Sequence, residues 1–330
     1  MVIKMEKIEA EFTVVTPMFI SGADQTKAEL RVPSIKGALR FWWRAINYEE
    51  DPKELLKKES NIFGSSDQKV GQSKVKMYIS SQNIETEKQE VPFGQNDWEH
   101  YVGYGLTDSK DENDKKIKRT FIKEGGTFNI ELISKDKKTL EEILPALKVF
   151  GLIGGLGSRS RRGWGSMTLL NIKKNDKEEW KAPDSKDGYN KEVKNIFEKG
   201  KIITVFPEYT AFSLFSTYSI NDEPYNNSNM AHRDISEGYK KYLDMFSKKG
   251  KRANKKPAKE EFGLPRKGFG NEKDRRSSPL FMHIHKVGTQ YYPMAFTMPA
   301  RFNESKYEPV GKYQYIEEFA MDFLHHLEGN

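Results

Sequence analysis

The sequence contains no cysteine, and this absence excludes several classes of protein at once. Disulfide frameworks, thiolate nucleophiles and cysteine-ligated zinc or iron–sulfur centres all require that residue. Long apolar runs are missing too, and the N-terminal stretch MVIKMEKIEAEF has no basic segment followed by an apolar one. We therefore expect neither secretion nor membrane insertion, and a cytoplasmic location.

Motifs for nucleotide hydrolysis and metal binding are also lacking. No GxxxxGK[ST] loop occurs, and HRD at 232–234 is followed by neither the asparagine nor the DFG of a protein kinase. His283 and His285 share one strand face but have no HExxH pattern, and His325 and His326 suit a helix C-terminus. The sequence therefore predicts no metal site, no cofactor and no catalytic cluster.

Charge is what the chain has in excess. Its 330 residues are 31% charged, with a net charge of +7. Residues 240–276 contain fourteen lysines and arginines against five acidic residues, so the basicity is concentrated in one segment. An anion-binding surface requires such a concentration, although a lysine-rich loop such as 248–259 is also typical of a solvated surface.

The first half alternates between strand and helix patterns. Apolar residues recur every second position in the predicted strands and every third or fourth position in the predicted helices. Ser34, after Pro33, is the expected N-cap of the first helix. The elements in order are strand 8–17, helix from 34, strand 75–80, strand 127–134, helix 139–153 and a strand from Trp164. This order predicts a ferredoxin-like domain with a polar insertion at 81–120.

The second half gives a weaker version of the same pattern. Residues 176–200 are rich in Lys, Asp and Glu, and are predicted to be a linker with at most a short helix. The elements that follow are strands over 201–206 and 210–220, a helix over 236–246, a hairpin through Gly288 and a closing helix over 315–327. The predicted fold class is therefore α+β, with two tandem ferredoxin-like (RRM-like) domains at 1–175 and 201–330.

A basic stripe on the first helix is one candidate anion site. Lys36, Arg40 and Arg44 are spaced four residues apart, so they share one face of the helix. The helix N-terminus adds free N–H groups, and Gly37 permits a close approach to the backbone. The same stripe also fits an ordinary solvated helix face.

The stretch GGLGSRSRRGWG at 154–165 is the other candidate, because it combines five glycines with three arginines and no acid. Glycine lets a backbone approach a ligand closely, and arginine binds phosphate, so we expect contact with an RNA backbone. Trp164 is predicted either to stack on a base or to begin a strand in the core. The residues are Gly154, Gly155, Gly157, Gly163 and Gly165, with Arg159, Arg161 and Arg162.

Three stretches together resemble one known family. TPMFISGADQTKAELRVPSIKGALRFWWRA, GLIGGLGSRSRRGWGSM and FGLPRKGFG followed by RRSSPLFMHI are similar to the RAMP superfamily of CRISPR systems, and specifically to the first subunits of type III-B (Cmr) effector complexes. The resemblance implies two RAMP domains and a cleft that binds RNA near the 3′ end of the guide RNA. It also implies Arg266, Lys267, Arg275 and Arg276 as further RNA contacts.

The resemblance favours an RNA-binding subunit without catalytic activity, which helps to capture target RNA for antiviral defence. Its partners are then guide RNA, target RNA and other Cmr subunits, while a different subunit cuts the target. Two alternatives stay open. One is a metal-independent endoribonuclease that processes guide RNA, although the first helix has no histidine to act as acid or base. The other is a scaffold subunit whose basic loops bind acidic partner proteins.

Overall fold

The computed structural model describes residues 5–65, 71–89, 93, 97–106, 119–244 and 277–300. Its strands are β1 (Glu6–Val14), β2 (Val75–Asn83), β3 (Thr86–Lys88), β4 (Thr120–Ile122), β5 (Thr127–Ser134), β6 (Met167–Lys174), β7 (Lys177–Lys181), β8 (Thr217–Ile220), β9 (Leu280–Val287) and β10 (Gln290–Thr297). Its helices are α1 (Val32–Ile46), α2 (Pro52–Phe63), α3 (Trp98–Val102), α4 (Lys137–Ile153), α5 (Lys186–Gly200) and α6 (Ser228–Asp244). None of these described helices is both long and apolar enough to cross a bilayer.

The first half is an antiparallel sheet in the order β2-β5-β1-β6-β7, with α1 and α4 packed against each other. The order β2-β5-β1-β6 is that of a ferredoxin-like domain, so the prediction for this half is confirmed. Every second residue of β5 is buried, because successive strand side chains point to opposite faces. Phe12 and Phe128 stack in the core with ring centroids 5.2 Å apart, and Phe150 of α4 packs on Phe12.

The second half is a three-stranded antiparallel sheet in the order β8-β10-β9. The predicted hairpin is present, and Gly288 turns it with a φ of +58°. These three strands and α6 follow the order of a ferredoxin-like domain, which agrees with the predicted α+β fold class. The closing helix predicted at 315–327, which includes His325 and His326, lies outside the described residues.

Helix α1 begins two residues earlier than its predicted cap. Its N-cap position is Arg31, which makes no side-chain capping bond, and Ser34 lies within the first turn. Pro33 explains the shift, because its fixed φ and missing N–H suit the first turn of a helix. The prediction of Ser34 as N-cap is therefore wrong.

The segment predicted as a linker, 176–200, is regular structure. Strand β7 extends the first sheet, and α5 buries Tyr189, Val193 and Phe197 along one face. These three apolar residues recur every four positions, and the abundant charges between them occupy the exposed face. The domain limits at 175 and 201 remain a prediction.

Three elements of the second half differ from their predicted limits. Residues 201–206 form no strand, because the chain leaves α5 at Gly200 in a turn that keeps Ile202 79% exposed. The strand predicted over 210–220 is confined to β8, and the helix predicted over 236–246 begins at Ser228.

Strand β9 joins the two halves along the start of β6. The N–H of Ile284 donates to Oγ of Ser166 at 3.2 Å, and the N–H of Lys286 donates to Oγ1 of Thr168 at 3.0 Å. The N–H of Met282 donates to the Arg161 carbonyl at 3.1 Å. The glycine- and arginine-rich segment therefore lies at the seam between the halves.

Candidate nucleic-acid interface

The glycine-rich loop, residues 154–166, connects α4 to β6. Gly163 and Gly165 have φ values of +85° and +62°, a region that favours glycine. A Cβ on Gly165 would lie 1.9 Å from the Leu156 carbonyl oxygen, and one on Gly163 would lie 2.7 Å from Nε2 of His232. At these two positions the glycines serve a close approach to the protein's own chain.

Two loop arginines are fixed by contacts within the protein. Arg159 donates from Nε to the Tyr104 carbonyl at 2.8 Å while its side chain stays exposed. The guanidinium of Arg162 lies 4.6 Å from the ring centroid of Tyr239, and its buried Nη1 has no hydrogen-bond partner among the described residues. Both contacts orient the cations without neutralising them.

Arg161 is the most enclosed of the three loop arginines. Its Nη1 donates to the Ser278 carbonyl at 2.6 Å, and its guanidinium lies over the rings of Phe281 at 4.5 Å and Phe41 at 5.3 Å. Burial lowers the pKa of Arg161 to about 10, so it remains a cation at neutral pH. The residue links the loop to both halves of the chain.

The basic stripe of α1 divides into two parts. Nε of Arg40 and Nη1 of Arg44 both donate to Oε1 of Glu59, at 2.5 and 2.6 Å. Glu59 belongs to α2 and is buried, so this ion pair ties the two helices together. Lys36 is half-buried. Its pKa is lowered mainly by this burial and to a smaller extent by the nearby positive charge of Arg40.

A groove of about 370 Å³ lies between α1 and the glycine-rich loop, and we call it the α1–loop groove. Ser34 and Ala38 of α1 form one wall. The remaining lining residues are Phe19, Ile20, Ser21, Arg119, Gly155, Leu156, Gly157, Ser158 and Ser160. Serine residues, glycine residues and one arginine therefore line a space large enough for a phosphate and its sugar.

Arg119 is the charged side chain that lines this groove, and the sequence did not single it out. It is 9% exposed, and burial lowers its pKa. Nη2 donates to Oγ of Ser158 at 3.3 Å, whereas Nε has no hydrogen-bond partner among the described residues. Among the described residues, four arginines form ion pairs with carboxylates, namely Arg31, Arg40, Arg44 and Arg233. Arg119 forms no such ion pair there, so no described carboxylate neutralises its charge.

Trp164 lies in the core, which is one of the two positions predicted for it. The residue is 4% exposed, and its ring stacks on Phe93 at 5.4 Å and on Trp98 at 6.0 Å. Phe19 contacts it edge-on at 5.4 Å. Contact between Trp164 and RNA stays a prediction.

Three buried histidines from the second half hold carbonyl groups at or beside the loop. Nε2 of His232 donates to the Arg162 carbonyl at 2.7 Å, and His283 bonds to the Gly154 carbonyl. His285 bonds to the carbonyl of Leu152 and stacks on Tyr189. Burial lowers the pKa of His232 to about 4 and that of His283 to about 3, so both are neutral at pH 7.

The remaining predicted contacts, Arg266, Lys267, Arg275 and Arg276, lie outside the described residues. Among the residues that are described, no three histidine, aspartate or glutamate side chains cluster as metal ligands would. The start of α1, Arg119 and the serines and glycines of the loop line one groove, whereas Arg159, Arg161 and Arg162 do not line it. Arg40 and Arg44 bind the carboxylate of Glu59 instead.

Comparisons with known proteins find one group of relatives. Residues 11–168 match the RAMP superfamily. The chain is 26% identical over 306 residues to CRISPR system Cmr subunit Cmr1-1 of Pyrococcus furiosus, a match that covers 88% of this chain and 85% of the relative. It is 28% identical over 178 residues to Cmr1-2 of the same organism, covering 48% of this chain and 92% of that one.

Solved structures show the same architecture. The crystal structure of Cmr1 from Pyrococcus furiosus in its apo form gives a TM-score of 0.61 at 22% identity, over 97% of this chain and 96% of that one. A chain of the cryo-EM structure of the Type III-B Cmr-beta bound to cognate target RNA gives a TM-score of 0.57 at 11% identity, over 98% and 100%. The mixed α/β fold is therefore that of these proteins.

Proposed function

Since residues 11–168 match the RAMP superfamily and the fold is similar to that of Cmr1, we propose that this protein is a non-catalytic RNA-binding subunit of a type III-B CRISPR effector complex. It binds near the 3′ end of the guide RNA and helps to capture target RNA for antiviral defence in the cytoplasm. Its partners are the guide RNA, the target RNA and other Cmr subunits. A chain of similar fold belongs to the Type III-B Cmr-beta bound to cognate target RNA, which supports this assignment.

The observation that carries the proposal is Arg119 in the α1–loop groove. A buried cation without a counter-charge is costly, so a protein retains one where an anion binds. Nε of Arg119 is unpaired among the described residues, and Ser158 holds the other side of the guanidinium. A phosphate in the groove completes the coordination of Arg119, and the hydroxyls beside it supply further donors.

The cations around the groove extend this single contact to a stretch of RNA backbone. Arg159 lies between two residues that line the groove, and its side chain is exposed. Lys36 lies on α1 between Ser34 and Ala38, which form the other wall. Arg162, at the far end of the loop, has a buried Nη1 without a hydrogen-bond partner among the described residues. These charges follow the phosphates of a single strand across the loop, and phosphate contacts of this kind position RNA without reading its bases.

The placement of the imidazoles supports binding without cleavage. A general acid or base needs a pKa near the working pH and a position within reach of the reacting oxygen. His232, His283 and His285 are buried, hold low pKa values and bond to carbonyl groups of the chain. The proposal therefore assigns the cutting of RNA to another subunit.

The experiment compares Arg119→Gln with the wild-type chain by fluorescence anisotropy of a labelled single-stranded RNA at two salt concentrations. Each phosphate contact contributes about 0.7 to the salt slope on a single strand, so we expect the slope to become shallower by about that amount. The control is Arg233→Gln, an exposed arginine paired with Glu237. Equal salt slopes for the wild type and Arg119→Gln would show that the α1–loop groove does not bind the RNA backbone.

A further inference from the structure

A second pocket lies beside the α1–loop groove and plays no part in the backbone contacts described above. Its volume is about 340 Å³, within the size range of small-molecule sites. Its walls are aromatic, and we call it the aromatic pocket. The rings that line it are Phe19, Phe93, Trp98, Phe121, Trp164 and the imidazole of His232. Its polar lining residues include Asp97, Glu99 and Asn229.

The rings are arranged as a ladder. Trp98 and Phe93 each lie nearly parallel to Trp164, with interplanar angles of 13° and 20°. The indole Nε1 of Trp164 is buried and has no hydrogen-bond partner among the described residues. A buried donor of this kind is satisfied when an acceptor enters the pocket that its ring lines.

The pocket is next to the proposed path of the RNA backbone. Phe19 lines both the aromatic pocket and the α1–loop groove. The guanidinium of Arg119 lies 6.0 Å from one ring centroid, that of Phe19, and Phe19 lies 5.4 Å from Trp164. When the phosphate of a nucleotide contacts Arg119, the base of that nucleotide or of the next one can therefore reach the aromatic pocket.

We propose that the aromatic pocket receives one unstacked nucleobase of the bound RNA. The inference rests on the proposed function, because it takes the RNA backbone to follow the groove. Asp97 and Glu99 repel a phosphate from the pocket, while Arg119, whose guanidinium lies over the Phe19 ring, disfavours a cationic ligand. An uncharged heteroaromatic ring fits both constraints, since its faces stack on aromatic side chains and its edge offers acceptors and donors.

The test measures the affinity of three variants for two ligands of equal length and charge. The ligands are a single-stranded RNA and the same backbone without bases. Trp98→Leu removes a wall of the pocket, and Trp98→Phe keeps an aromatic ring there. Trp180→Leu is the matched control, a buried tryptophan on β7 that contacts Lys148 and does not line the pocket.

We expect Trp98→Leu to lose about 5- to 100-fold in affinity for RNA, the effect of one base stack, and to bind the abasic backbone like the wild type. Trp98→Phe and Trp180→Leu should keep the wild-type preference for RNA. Wild-type affinity of Trp98→Leu for RNA, or an equal loss for both ligands, would overturn the inference and leave the proposed function standing. If the wild-type chain bound neither ligand, both the proposed function and this inference would be wrong.

A measurement on the wild-type chain keeps the test valid if Trp98→Leu fails to fold. Saturating RNA should quench tryptophan emission, because Trp98 and Trp164 line the pocket that the base enters. The abasic backbone should leave the emission unchanged. Equal emission in the two complexes contradicts a base in the pocket.

Discussion

At Gly163 the backbone has a φ of +85°, and a Cβ there would lie 2.7 Å from Nε2 of His232. The imidazole cannot move aside freely, because it donates to the carbonyl of Arg162. We expect Gly163→Ala to lower the free energy of unfolding by about 1–3 kcal/mol through backbone strain and the displaced histidine. Urea unfolding followed by circular dichroism measures the change.

Gly37 provides the matched control for that substitution. It lies within α1, and a Cβ there would meet nothing within 4 Å. Alanine is the better helix former by about 1 kcal/mol, so Gly37→Ala should be neutral or stabilising. If both variants lost the same stability, the account of the glycine-rich loop would be wrong.

Single residues also show where sequence reasoning stops. The loop arginines were recognisable because glycine and arginine were concentrated in one short stretch. Arg119 gave no such signal, since it is the last residue of the basic run KKIKR at the end of a charged insertion. Its importance comes from its burial beside Ser158. The sequence places Arg40 and Arg44 on one helix face, whereas the carboxylate that they share belongs to α2, a helix that the sequence pattern does not predict.

Among the elements, α1 and α2 are tied together by Glu59. Its buried carboxylate accepts bonds from Arg40 and Arg44, whose side chains are about one-third exposed. Glu59→Gln removes the charge and leaves two arginines uncompensated, so we expect a loss of about 1–3 kcal/mol, discounted for the solvent around the arginines. Thermal unfolding measures the loss.

The same variant separates a structural role from RNA binding. Glu59→Gln should bind RNA at least as well as the wild type, because it removes an acid near α1 and frees two cations. Weaker binding by the folded variant, or an unchanged unfolding midpoint, would contradict the tie between the helices. Lys58→Gln is the control, since Lys58 is an exposed neighbour on α2 that pairs with Glu49.

The elements that the sequence predicted well are those with clear periodicity. Strands β1 and β5 and helix α4 each bury a regular apolar pattern, and the β9–β10 hairpin is buried along almost its whole length. The stretch 201–206 has the composition of a strand, but it follows α5 in a turn, so local pattern and tertiary position disagree. Helix α2 buries a charged residue on its inner face, which weakens the amphipathic signal.

In the molecule as a whole, three buried histidines make stability depend on pH. Burial lowers the pKa of His232 to about 4 and that of His283 to about 3, and holds that of His285 well below its ordinary value of 6.5. Above pH 6.5 the imidazoles are neutral in both folded and unfolded chains. Below it the unfolded chain gains protons that the folded chain does not, so stability falls as pH drops from 6.5 towards 4.

Each histidine contributes at most about 1.4 kcal/mol per pH unit in this window. Circular dichroism melts at half-unit intervals between pH 7.5 and 4 should show a flat region and then a steady fall. His232→Gln keeps a side-chain N–H for the Arg162 carbonyl and should reduce the acid sensitivity by up to about a third. An unfolding midpoint constant to pH 4.5 would refute the buried, neutral state.

The two tandem halves and their order were predictable from the sequence. The seam itself was not, because the bonds from Ile284 and Lys286 to hydroxyls of the first half join residues more than 100 positions apart. A single sequence shows which residues are charged or apolar. It does not show which of them the folded chain brings together.

The most direct test of the central claim is the salt dependence of RNA binding by the unmodified chain, with the RNA examined on a gel afterwards. Four cations, namely Arg119 in the α1–loop groove, Lys36 on α1, and Arg159 and Arg162 on the loop, give an expected slope of log K against log salt of about −3. The account predicts this slope with full-length RNA recovered. Binding that is independent of salt, or RNA that emerges shortened, would contradict it.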